Sequence, residues 1–225
     1  MVYNRKMKFY CYLILSFLSL CSYADAIKLY TMEIPNINTR SQKSFYAKYI
    51  KMIEAISGEK FEIIFLPPSR AMSKFSQNHE ACFFPYSKKE KVDSSSLLFS
   101  KPFADIELYA ITKKNSELIT RSNIYENKRV AINSSYRESF FFPAEFKVYY
   151  VETEQQLFYM LDHGRVDYVL ESVPDVYLSF GGKEEFLKRY KFDPKYKHQI
   201  LKDYFTCHKG SKRIENLIKT INNKL

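Results

Sequence analysis

The chain is poor in the residues that most site chemistries require. It has five glycines in 225 residues, four histidines and no tryptophan. So few glycines argue against a Gly-rich phosphate-cradling loop, and no Gly-x-Ser-x-Gly turn occurs. His79, His163, His198 and His208 show no metal-ligand spacing, and no cysteine pairs with them, so neither a metal nor a cofactor is expected. Beyond the N-terminal stretch no apolar run reaches ~18 residues, so no membrane-spanning helix is expected. The 35 Lys and Arg outnumber the 25 Asp and Glu, giving a formal net charge of +10. These cations are scattered among acids. That distribution describes a solvated surface and gives no basic stripe for nucleic acid.

What is present begins with an export signal. Arg5, Lys6 and Lys8 precede an almost wholly apolar run from Phe9 to Tyr23, and Ala24-Asp25-Ala26 reads as a small-x-small cleavage site. A secretory signal peptide is therefore expected at 1–26. Its removal takes 26 of the 225 residues, leaving 199, and takes three cations and one anion, lowering the net charge from +10 to +8. Cys11 and Cys21 leave with it. Cys82 and Cys207 remain in an oxidising compartment, either bridged or as two buried thiols.

The mature chain reads as two α/β units. Ile27–Met32 is a strand, Thr39–Ser57 a helix whose core face is Phe45, Tyr49, Ile50, Ile53 and Ile56, and Gly58 its left-handed cap. Phe61–Leu66 is a strand cut by Pro67-Pro68. Ser69 caps a helix from Arg70 with Met72 and Phe75 inward, and Ala81–Phe84 is a strand ending at Pro85. The pattern predicts parallel strands with helical crossovers. Past Lys101–Asp105 it repeats. Ile106–Thr112, Arg129–Asn133, Phe146–Val151, Val166–Leu170 and Tyr204–His208 are strands. Thr153-Glu154-Gln155-Gln156 is a capping box. Short helices lie around 175–180 and 183–190, and Ser211 caps a last amphipathic helix. With so short a link the two units sit side by side, and the carboxyl ends of their strands face a shared cleft.

Four segments in order carry a resemblance: F-S-K-P-F at 99–103, K-R-V-A-I-N-S-S at 128–135, L-D-H-G-R-V-D-Y-V-L-E-S-V-P at 161–174 and Y-F-T-C-H-K-G-S at 204–211. Together they make the chain similar to the periplasmic solute-binding proteins of family 3, over essentially the whole mature length. The resemblance implies the two-lobed type II fold, with lobe 1 from 27–103 and 203–225 and lobe 2 from 104–202. It further implies a periplasmic monomer that closes on a small-molecule ligand and delivers it to an inner-membrane permease of an ABC-type transporter. A sensory role, docking on a membrane receptor, is the alternative. A dehydratase-like enzyme with Glu33 or Glu171 as general acid is the second.

At the positions that match the family's amino-acid site this chain departs from it. Lys91 stands where the family keeps the Arg that grips a ligand carboxylate, and a lysine lacks the planar fork. Ser172 stands where the family keeps the Asp for a ligand ammonium. Glu171 precedes it and is the candidate to substitute for that Asp, with its side chain on the opposite face if the strand continues. Ser134-Ser135-Tyr136 replaces the family's Gly-Ser/Thr-Thr turn. Arg165 and Asp167 match family positions, with a structural role expected for Asp167. From the residues themselves, Arg70 at a helix start is a candidate anion holder. Tyr86 and Ser87 sit at the end of the third strand, Arg137 in the second-lobe turn, and Glu33 after the first strand. The expected ligand is small and polar, anionic or aromatic.

Overall fold

A computed structural model describes residues 25–34, 37–41, 43–88, 95–124, 126–140, 142–143 and 146–225. The expected leader, apart from Asp25 and Ala26, and Lys91 lie outside the described residues.

In the first half, β1 (Ile27–Thr31) pairs in parallel with both β2 (Phe61–Phe65) and β3 (Cys82–Lys88). The crossovers are α1 (Phe45–Ser57) and α2 (Pro68–Gln77). In the second half, β6 (Arg129–Asn133) lies parallel to β7 (Lys147–Val151) and to β8 (Tyr168–Ser172). Helix α3 (Glu154–Asp162) crosses between β7 and β8, and α4 (Val173–Ser179) and α5 (Lys183–Arg189) follow. Two antiparallel strands join the halves, β5 (Ala104–Lys113) and β10 (Gln199–His208). The sheet order is β2-β1-β3-β10-β5-β8-β6-β7, with β4 (Leu97–Phe99) added to β10 and β9 (Tyr190–Lys191) to β5. Helix α6 (Lys212–Lys224) closes the chain. This is the α/β arrangement the strand and helix pattern predicts.

In each half the inner strands are buried on both faces, so successive residues feed opposite cores, while the edge strands β2 and β7 are partly exposed. On one face of the first half, Leu29, Cys82 and Phe84 meet Tyr46, Ile50 and Ile53 of α1 and Ile214, Leu217, Ile218 and Ile221 of α6. On the other, Tyr30, Met32 and Phe83 meet Ala71 and Phe75 of α2. In the second half Ala131 and Val169 pack under α3, α4 and α5, while Val130, Ile132, Tyr168 and Leu170 face the opposite side.

Several boundaries differ from the sequence reading. Strand β3 does not end at Pro85 but runs to Lys88. Opposite it, β10 shifts register between Tyr204 and Thr206. Proline has no N–H to give a ladder, and this irregularity is where it fits. Helix α1 starts at Phe45, not Thr39, because the preceding segment is held as a loop. Buried Asn38 donates from Nδ2 to Thr31 Oγ1 and to the Met32 carbonyl, each at 2.6 Å, and Ser44 is the N-cap, accepting from Ala47 N. Tyr46 is consequently the buried aromatic, while Phe45 is 60% exposed. Helix α2 begins at Pro68, which places Ser69 inside its first turn and not at the cap. Ser211 likewise makes no side-chain cap bond, although Ile214, Leu217, Ile218 and Ile221 are buried as their spacing predicts.

One reading holds and one open choice is settled. Thr153 and Gln156 form the full capping box of α3. Replacing Thr153 with Ala should cost about 1 kcal/mol of stability by urea unfolding, the usual worth of such a cap. Cys82 and Cys207, paired across β3 and β10, are joined by a disulfide, which resolves the choice between bridge and free thiols. No helix among the described residues is long and apolar enough to cross a membrane.

Candidate functional site

A cavity of about 370 Å³ lies between the halves. Its walls come from the carboxyl ends of the parallel strands. Glu33 follows β1, Pro68 follows β2, Ser87 is near the end of β3, Asn133 ends β6, Glu152 follows β7 and Glu171 is the penultimate residue of β8. Parallel sheets leave a crevice at these ends, and two such sheets facing each other enclose it.

The joining strand β10 supplies Asp203, which pairs with Ser87 of β3 on one side and with Ala104 of β5 on the other. The residue therefore sits where β10 passes from one half to the next. It is 2% exposed. Its carboxylate accepts from Tyr46 Oη at 2.8 Å and from Ser87 Oγ. Burial pushes the Asp203 carboxyl up to about 6 against these two hydrogen bonds, and the charge of Asp175 adds to the rise.

Across the cavity stand Glu154, Glu171 and Asp175. Glu171 is 8% exposed. Its Oε1 accepts from the Ser172 backbone N–H at 2.9 Å. Burial first, then the charges of Glu154 and Asp175, push it up to about 8. Glu154 is pushed up to about 7 by burial and by Asp175, although Ser179 Oγ donates to it at 2.8 Å. Asp175 is raised by burial as well. Tyr136, from the 3-10 helix Ser134–Ser139, lies among Glu171, Asp203, Asp175 and Tyr46. Burial and those charges hold its phenol far above the ordinary range.

Glu152 behaves differently. It accepts from the Ser69 backbone N–H at 3.1 Å, from Ser69 Oγ, and from Ser134 Oγ at 3.0 Å. Partial burial would raise it, but these hydrogen bonds and the charge of Arg137 hold it below the ordinary carboxylate range. A carboxylate of the second half thus sits on the first turn of α2 in the first half, where free N–H groups and the helix dipole favour an anion. A further link crosses the cleft, with Ser139 Oγ donating to the Ser87 carbonyl at 2.7 Å.

This topology has solved counterparts. The glutamate-bound ligand-binding core of GluR0 from Nostoc punctiforme is 14% identical over 88% of this chain and 92% of its own, with a TM-score of 0.67. The VFT2 domain of Bordetella pertussis BvgS (a double mutant) is 15% identical over 89% and 88%, at 0.65. The arginine-, lysine-, histidine-binding protein ArtJ of Geobacillus stearothermophilus is 12% identical over 88% and 89%, at 0.65. The fold is that of the two-lobed type II periplasmic binding proteins. No family model and no curated protein matches the sequence.

Within that fold the candidates separate into three groups. Glu33, Ser87, Ser135, Tyr136 and Glu171 line the cleft cavity. Glu33 is at the exposed rim, paired with Arg40 at 2.9 Å. Tyr86 and Arg137 instead line a second cavity of about 560 Å³ beside α2, which Ser135 also touches. The Arg137 guanidinium lies 4.2 Å from the centre of the Tyr150 ring. Arg70 is exposed and is not among the residues lining either cavity; the anion at its helix start is Glu152.

The two candidates at the end of β8 part ways. Glu171 lines the cavity. Ser172 lies outside the lining residues, at the N-cap of α4, where its hydroxyl partly offsets the burial of Asp175. Asp167 is structural, paired with Arg129 at 2.9 Å. The residues missed from the sequence are Tyr46, Glu152, Glu154, Asp175 and Asp203. Glu152 was open to discovery, because it directly follows a parallel strand. Asp203 was not, because a lone acid in an antiparallel strand carries no such mark.

Proposed function

We propose that the protein is an exported solute-binding protein that captures a small polar molecule in the cleft and closes around it. The observation that carries this reading is the cavity itself, walled by strand ends from both halves. We take lobe 1 as 27–103 with 203–225 and lobe 2 as 104–202, with β5 and β10 as the hinge strands. Asp203, at the crossing point, then couples the ligand to the hinge. The solved proteins that share the fold support the reading, since one is bound to glutamate and another is an amino-acid binder by name.

Ligand binding should draw the lobes together. The radius of gyration from solution scattering should fall on saturation with a stabilising solute; an unchanged radius would count against closure. Glu152 is the expected latch of the closed form. Glu152→Ala removes a carboxylate from a helix start and two serine hydroxyls, so ligand affinity should drop by about 5- to 30-fold, the worth of about one to two kcal/mol. Affinity equal to that of the parent protein removes Glu152 from the closing contacts.

We read the partner as an ABC-type inner-membrane permease. The second reading is a membrane receptor, favoured by BvgS, where the matched fold is 40% of a larger periplasmic domain. Deleting the chain should abolish uptake of labelled ligand under the first reading and leave uptake intact under the second. In either case the ligand should be recovered unchanged after incubation; a product would favour the lyase alternative, with Glu171 as its acid.

A further inference from the structure

We infer that the ligand of this cleft is a small organic cation, an amine or guanidinium compound without a carboxylate, held by Glu154, Glu171, Asp175 and Asp203. The inference rests on the solute-binding reading and names the ligand class of the same cavity.

The first observation is the sign of the walls. Among the described residues, the lining includes carboxylates from both halves and no Lys, Arg or His. A buried carboxylate without a cation is costly, and proteins relieve it by pairing or by protonation. Here Glu171 is 8% exposed and faces the cavity, yet only Oε1 accepts a hydrogen bond, from its own neighbour's N–H. Its second oxygen has no partner among the described residues. Burial raises Glu171, Glu154, Asp175 and Asp203, and the charge of Asp175 adds to the rise of the other three, which is the response of acids lacking a cation.

The second observation concerns where a ligand anion would go. Three helix starts open on the cleft: that of α2 already holds Glu152 through Ser69 N and Oγ, and those of α3 and α4 carry Glu154 and Asp175 in their first turns. A ligand carboxylate would have to displace the protein's own. The remaining walls suit a cation too, because Tyr46 and Tyr136 line the same space and aromatic faces attract ammonium and guanidinium groups. The volume of about 370 Å³ is of the size that takes a small organic molecule. Among the described residues no three acids, histidines or cysteines are grouped to hold a metal ion.

The test is thermal shift and titration calorimetry at pH 7 with 1,4-diaminobutane, agmatine, arginine, glutamate, succinate, calcium and magnesium. The two amines should raise the melting temperature, with agmatine binding at least as tightly as arginine. Binding should release protons, seen as heats that vary with buffer, because the incoming cation draws raised carboxyls to their charged forms. Glu171→Gln should weaken binding about tenfold or more, and Asp175→Asn serves as a second variant with the same expectation. Stabilisation by succinate or glutamate but not by amines overturns the inference while leaving solute capture intact. So does arginine binding more tightly than agmatine, a metal ion stabilising where the amines do not, or amine binding untouched in both variants. If no solute stabilises the protein and none changes its scattering radius, the solute-binding reading falls with it.

Discussion

Removing the Cys82–Cys207 bridge is expected to lower the unfolding free energy by about 3–5 kcal/mol. The bridge spans 125 residues of sequence. Cross-linking so long a loop removes a large share of the unfolded chain's freedom, and the chain-entropy estimate for a loop of this length is close to 5 kcal/mol. Both half-cystines are fully buried, and β10 returns beside β3 through this pair. The double variant Cys82→Ala/Cys207→Ala is the cleanest comparison, since alanine leaves no buried thiol to reoxidise. Urea unfolding of that variant against the parent chain, and of the parent with and without reductant, should show the lower midpoint in each reduced or replaced form. Coincident midpoints would rule out the bridge as a stabilising link. The bridge lies within the first half and does not tie the two halves together, so ligand affinity measured well below the unfolding midpoint should be unchanged.

The fold was legible in the sequence because its signals are local. Continuous apolar runs, the punctuation of Pro67-Pro68 and Gly58, and the capping box at Thr153 each act over a few residues, and together they mark alternating strands and helices. Errors arose where a side-chain or cross-strand contact overruled the local signal. Asn38 holds residues before α1 out of the helix by bonding back to Thr31 and Met32. Pro85 stays in a strand because β10 shifts register opposite it. The site was less legible for the same reason. Tyr46 reaches Asp203 across 157 positions, and Ser69 meets Glu152 across 83. Read alone, Arg70 beside a helix start suggests a bound anion, and the feature is real. The anion that fills it comes from the far side of the cleft. Glu171 was a candidate, as the stand-in for the acid that Ser172 lacks, but with its side chain expected on the opposite face. Its position on the cavity wall depends on which face of β8 meets the cleft, and a period-two pattern that is buried on both faces does not reveal that.

Raising the pH from about 5 to 8 should destabilise the ligand-free protein by on the order of 3 kcal/mol, and Glu171→Gln should remove much of that slope. The direction follows from which state holds more protons. Glu171 titrates near 8 in the folded chain against an ordinary 4.5, with Glu154 near 7 and Asp203 near 6. Between the ordinary carboxylate range and these values the folded state binds protons that the unfolded state has lost. Their contribution is complete below the unfolded values and disappears as pH climbs through the folded ones. Asp175, Glu154, Asp203 and the Tyr136 phenol are the groups that act on one another here, and all are acids, so none offsets the trend. The carboxylates that are instead lowered, Glu107 by Lys197, Glu117 by Lys128, Asp167 by Arg129 and Glu152 by its serine partners, contribute at lower pH and leave this window alone. Glutamine keeps an oxygen for the Ser172 N–H and carries no charge at any pH. The variant should therefore match the parent near pH 5 and exceed it near pH 8 in urea unfolding without ligand. A parent chain whose stability rises or stays level across that range would show that the cavity acids are already compensated, and an unchanged slope in the variant would show that Glu171 is not the group that titrates.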